Sequence, residues 1–103
     1  MREITRVSDI TYEDVAEYIR LTEVTSDDEN TLKTFITVAK AYIEQYTGRS
    51  EEELDNYRDF VIVTLILCQD MWDNRALYVD GSHTGSINHV VDSILSLHAV
   101  NLL

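Results

Sequence analysis

Proline is absent from this chain of 103 residues, cysteine and tryptophan occur once each, glycine three times, and only eight Lys and Arg stand against nineteen Asp and Glu. Without proline there is no built-in kink or helix stop, which suits a helical chain. A single cysteine, Cys68, excludes an internal disulfide. It lies in an apolar run and reads as a small buried hydrophobe, at home in a reducing compartment. Long hydrophobic runs are also missing. The longest, residues 60–68, is broken only by Thr64 and falls short of the roughly 20 residues that span a bilayer. The N-terminal MREITRVSD has no apolar signal core, so a soluble chain without an export signal is expected.

The shortage of bases excludes sequence-specific nucleic-acid binding, because duplex affinity comes from Lys and Arg displacing counterions. The net charge is −11. Of this, the first 59 residues carry −8 and the last 44 carry −3. On composition alone such an excess means solubility. The length is that of one domain, residues 1–103, with a single core of three or four helices.

The chain is organised around residues 57–75, YRDFVIVTLILCQDMWDNR. A helix built from this stretch is apolar on nearly all sides and must be covered all round. Tyr57, Phe60 or Val61, Thr64, Cys68 and Met71 or Trp72 form a face for the chain's own core. Ile62, Val63, Ile66 and Leu67 need a second cover, from another helix or another subunit. A buried parallel strand would fit the Val and Ile content but needs crossover helices and partner strands that the sequence lacks.

The other elements follow from periodicity and capping. Thr11 is placed to cap the amide of Asp14 and open a short helix carrying Val15, Ala16 and Ile19. Ser26 and Glu29 read as a capping box for the clearest amphipathic helix, with Leu32, Phe35, Ile36, Ala39, Tyr42, Ile43 and Tyr46 at intervals of three and four. Gly48 should stop it at about Thr47. Ser50 and Glu53 make another box, giving either one long helix or a short turn over residues 51–54 and a fresh start at Asp55 or Asn56; the second is preferred. Residues 79–88, VDGSHTGSIN, read as a flexible loop. A last helix then starts at Ser86 or Asn88 and is carried by Val90, Val91, Ile94, Leu95 and Leu97. The expected fold is therefore all-α, a small bundle of about four helices with a glycine-containing loop before the last.

No pattern supports catalysis or a cofactor. Glu52 with Asp55 and Asp70 with Asp73 superficially resemble the acid quartet of magnesium-dependent nucleotide pyrophosphohydrolases. Read on one helix, however, Asp55 and Asp70 lie about 22 Å apart, too far for one metal. His89 and His98 fall on opposite helix faces, and no Cys-x-x-Cys or His-Glu-x-x-His exists. The GSHTGS stretch lacks the lysine and preceding strand of a phosphate loop. Tyr42, Tyr46, Tyr57 and Trp72 read as core packing with wet polar edges. Arg49 and Arg75 each read as a cation at the negative end of a helix dipole.

Taken in order, YIRL, SDDEN, AYIEQYTGR, an aliphatic run closing on MWDNR, a glycine loop and SILSLH make a pattern covering about residues 12–98. It resembles the small head-to-tail connector proteins of long-tailed bacteriophages and related prophages, also described as DNA-packaging or head-completion proteins. The sharpest pieces are residues 42–49, Y-x-x-x-Y-T-G-R, and residues 72–75. The resemblance implies an all-helical, non-enzymatic ring subunit that docks under the portal protein and joins the head to a tail-side head-completion protein. Such a protein sits at the virion's head-to-tail junction and in the host cytoplasm during assembly, with no cofactor and no membrane.

On that reading Ile62, Val63, Ile66, Leu67 and Arg75 become candidate subunit contacts of the homo-oligomeric ring, with Arg75 pairing to a carboxylate. Gly81, Ser82, His83, Thr84 and Gly85, with Val100, Leu102 and Leu103 of the apolar tail, become candidate contacts to the portal or a neighbour. Asp27, Asp28, Glu29, Glu51, Glu52 and Glu53 become candidate lining acids of a channel that lets DNA slide through without sticking. Many relatives place a basic residue near the end of the last helix, where this chain has His98 and AVNLL. The alternative is a small acidic helical protein that binds and regulates a cellular partner, with the pyrophosphohydrolase a distant third.

Overall fold

A short strap precedes the first helix. Residues Val7–Asp9 form one 3-10 turn that drives Val7 into the core. Helix α1, Tyr12–Tyr18, starts at the expected cap: Asp14 donates its amide to the Thr11 hydroxyl, and the Asp14 carboxylate accepts the Thr11 amide. It stops in a Schellman turn, with Leu21 N–H on the Ala16 carbonyl, Arg20 N–H on the Glu17 carbonyl, and Arg20 itself left-handed at φ 62°.

The computed structural model describes residues 2–75 and 89–99, and among them the chain is all-helical. Helix α2, Ser26–Thr47, is capped one residue earlier than expected, by the reciprocal pair Thr25 and Asp28 rather than Ser26 and Glu29. In this register Glu29 is released to pair with Lys33, one turn on, at 2.8 Å. Gly48 closes α2 at φ 74°, where a residue with a Cβ would be strained. Helix α3, Glu51–Leu54, is a single turn under the predicted Ser50 and Glu53 box.

Helix α4, Asp59–Asp73, starts later than Asp55 or Asn56, because Asp55 is otherwise engaged: its carboxylate accepts the Ser8 amide at 2.9 Å and hydroxyl at 2.7 Å. Helix α5, His89–His98, closes the bundle. Helices α2 and α4 run antiparallel: Arg49, just past the end of α2, lies over the Tyr57 ring before α4, while Asn30 to Val38 share a groove with Met71 and Arg75.

The core is made by Leu32, Ile36, Ala39 and Ile43 of α2, the expected stripe, against Phe60, Val61, Thr64, Cys68 and Met71 of α4. The Thr64 hydroxyl, fully buried, donates to the Phe60 carbonyl at 2.7 Å. Two further α4 side chains, Val63 and Leu65, are also buried. Val63 is thus a correction to the outward face, because α5 docks on that side of α4 through Val91 and Leu95, both at 0 % exposure. Of the residues expected to carry α5, Val90 and Leu97 are exposed instead.

Candidate functional site

The residues singled out as contacts do not form one site. On α4, Ile62 is 40 % exposed and Ile66 and Leu67 are half-buried, so three of the four aliphatics reach the surface; Val63 does not. Arg75 lies beyond the end of α4, where Asn74 is the cap. Among the described residues its partner is Trp72 rather than a carboxylate: the guanidinium stacks 3.9 Å from the indole centre and donates to the Trp72 carbonyl at 2.6 Å. This corrects the expected ion pair within the chain. The loop residues Gly81, Ser82, His83, Thr84 and Gly85 and the tail residues Val100, Leu102 and Leu103 lie outside the described residues.

The candidate lining acids separate into two groups at opposite ends of α2, whose 22 residues span about 33 Å. Near its start Asp28 is held in the cap, and Glu29 sits below its usual pKa because Lys33 and then Tyr12 hydrogen-bond to it; Asp27 is exposed. At the far end Glu53 is lowered mainly by the Ser50 amide in its capping box, while Glu51 and Glu52 are exposed beside a crevice of about 320 Å³ shared with Lys40 and Asp55. The crevice holds carboxylates and an amine but, among the described residues, no cluster of three metal-ligating side chains occurs anywhere. Asp55 and Asp70 prove to lie on separate elements, one at the end of α3 and the other in α4. Burial pushes the Cys68 thiol up to about 12, so it is protonated and unreactive at neutral pH. Among the described residues no helix is long and apolar enough to cross a membrane.

Sequence reasoning missed a clasp that fixes α5. Arg49 donates Nε to the His98 carbonyl at 2.7 Å and lies 4.6 Å from the Tyr57 ring centre. His98 packs its ring against Tyr57 and Phe60, at 4.5 and 5.0 Å, and brings Nε2 within 3.0 Å of Asp59. On the α2 side the Tyr46 hydroxyl bonds to Asp92 and lies 3.1 Å from Ser96 Oγ. A cation just past a glycine stop was the available signal at Arg49; the target, 49 residues on, was invisible locally. No protein-family model, curated protein or solved structure matches the chain.

Proposed function

We propose that the chain is a structural subunit of a phage head-to-tail connector ring, docking under a portal protein and joining it to a tail-side protein, without catalytic activity. The observation that carries this reading is the ordered pair of segments, residues 42–49 and 72–75. In the fold they close α2 and α4, and through Arg49 the first also grips the last helix. An all-helical domain with aliphatics left at its surface suits ring assembly, in which each subunit offers two different faces. Ile62, Ile66 and Leu67 are the neighbour-facing candidates, now without Val63, and Arg75 borders an open groove of about 580 Å³ lined by Thr31, Phe35, Val38 and Met71. Of the two acid groups, one lines a given level of the channel, since the length of α2 separates them.

Native mass of the purified chain, alone and mixed with the portal protein encoded nearby, tests the reading. A closed ring or a stoichiometric portal complex is expected. A stable monomer that ignores the portal would assign the chain to the regulatory alternative.

A further inference from the structure

Two helices leave a shared aliphatic strip on the surface. The Asp59 and His98 contact sets the end of α5 beside the start of α4, so the two run antiparallel. With Val91, Leu95 and His98 turned inward, the 100° helical step sends Asp92 and Ser96 toward Tyr46 of α2, and sends Val90, Ile94 and Leu97 to the opposite flank, over α4. The same step brings Ile62 and Ile66 to the edge of α4 that borders this flank. Exposure is 54 % at Val90, 80 % at Leu97 and 40 % at Ile62. Five aliphatics from two neighbouring helices make a shallow trough of the kind that marks an interaction site.

The charge around the trough says what covers it. Neither α4 nor α5 contains a Lys or Arg. Asp59, Asp70 and Asp73 are exposed on the same sector of α4 as Ile62 and Ile66, one before them and two after. Another copy of the chain is poorly equipped to meet this rim. Arg2, Arg6, Lys33, Arg49 and Arg58, five of the eight bases, are already in ion pairs with the chain's own carboxylates, and the net charge is −11.

We propose that the trough of Ile62, Ile66, Val90, Ile94 and Leu97 is a docking site for a cationic amphipathic helix of another protein. Its apolar side chains at i, i+3 or i+4 and i+7 would lie in the trough, and its flanking Lys or Arg would meet Asp59, Asp70 and Asp73. This deepens the connector reading and rests on it in one respect, that the Ile62 and Ile66 face meets a neighbour. It assigns that neighbour a chemistry.

The test is fluorescence anisotropy with the full chain and a labelled Leu/Lys helix of about 18 residues, leucines at helical spacing, in about 0.1 M salt. A Leu/Glu helix of the same pattern and a Lys/Ser peptide of the same charge serve as controls. The Leu/Lys helix is expected to bind at least about tenfold more tightly than either control. The double substitution Val90→Ser with Leu97→Ser, and separately Asp73→Lys, should each weaken it severalfold; both variants alter exposed positions, and unchanged thermal melts would verify their folding. Undiminished binding to the serine variant would reduce the effect to net-charge attraction and overturn the inference, as would equal binding of the Leu/Glu helix, or none by the Leu/Lys helix. A self-assembly abolished by the serine variant would overturn it too, by giving the trough to a second copy. A ring that ignores the peptide removes this inference and leaves the connector reading, whereas a monomer that binds the peptide and ignores the portal does the reverse.

Discussion

Asp14 shows how much one side chain can hold in a small helical domain. At 5 % exposure it closes the α1 capping box and receives both arms of Arg2, at 3.0 and 2.9 Å. Burial pushes its carboxyl pKa up, but the Arg2 hydrogen bonds, the Thr11 amide and hydroxyl and the Arg2 charge outweigh this and hold it below the usual carboxylate range. Asp14→Ala removes cap and anchor together and should cost about 2 kcal/mol in denaturant unfolding. Arg2→Ala should cost under about 1 kcal/mol, because the arginine is half in water and the cap survives; equal losses would show that the ion pair, not the cap, matters. Two left-handed residues make a second comparison. Gly48 is at φ 74° and Arg20 at φ 62°, each just past a helix. A Cβ in this region costs about 1–2 kcal/mol, and a glycine's extra unfolded freedom about 0.5–1 kcal/mol. Gly48→Ala should therefore destabilise by about 1 kcal/mol, whereas Arg20→Gly should stabilise by about 0.5–1 kcal/mol. A lowered unfolding midpoint for Arg20→Gly would mean that the arginine side chain contributes more than its backbone costs.

Helix α5 has only ten residues, too few to hold itself in water, so its order is borrowed from contacts with α2 and α4. Tyr46→Phe deletes the hydroxyl that meets Asp92 and Ser96, and Arg49→Ala deletes the hold on the His98 carbonyl. Each should lower the local stability of α5 by about 1 kcal/mol, speeding amide exchange in His89–His98 roughly fivefold while the middle of α2 is unchanged. Uniform acceleration across the bundle would mean that α5 and the core open as one unit. The ends of α1, α2 and α3 were largely legible in sequence, because a capping box or a glycine stop is written within four residues. The start of α2 slipped by one because TSDDE offers two overlapping boxes, Thr25 with Asp28 and Ser26 with Glu29, and the pairing of Glu29 to Lys33 favours the first. The start of α4 slipped further because Asp55 answers to Ser8, 47 residues away, and Arg58 supplies no side-chain cap. The face of α4 was only half legible. A helix apolar on all sides has no period to separate Ile62 from Val63, and the packing of α5, another long-range fact, decides it. The α5 clasp was hidden for the same reason, since its partners lie 39 and 49 residues apart.

Across the whole molecule two electrostatic effects oppose each other as pH falls. Nineteen acids against eight bases repel one another in the folded state more than in the expanded one, so partial protonation below neutrality relieves strain. Against this, four carboxylates have folded pKa values held below their unfolded ones. For Asp14 and Asp55 burial raises the pKa but is outweighed, at Asp55 by the Ser8 hydroxyl and amide; Glu29 is lowered first by Lys33 and Glu53 first by the Ser50 amide. For such groups the unfolded chain takes up protons first. Their stabilisation is full above the ordinary carboxylate pKa of about 4 and is lost as pH drops through the lower folded values. Three of the four are substantially solvated, so the acid-side loss rests mainly on Asp14. Thermal midpoints should therefore rise from pH 7 to a maximum near about pH 5 and fall below about pH 4. Added salt at pH 7 should reproduce the first part by screening the repulsion, with little further gain at pH 5. The Asp14→Ala variant should keep the rise and lose most of the fall. A flat profile between pH 7 and 5, insensitive to salt, would mean that the acids are spaced widely enough over the surface for water alone to quench their repulsion. The rim of Asp59, Asp70 and Asp73 would then have to attract a partner at short range rather than through the field of the whole protein.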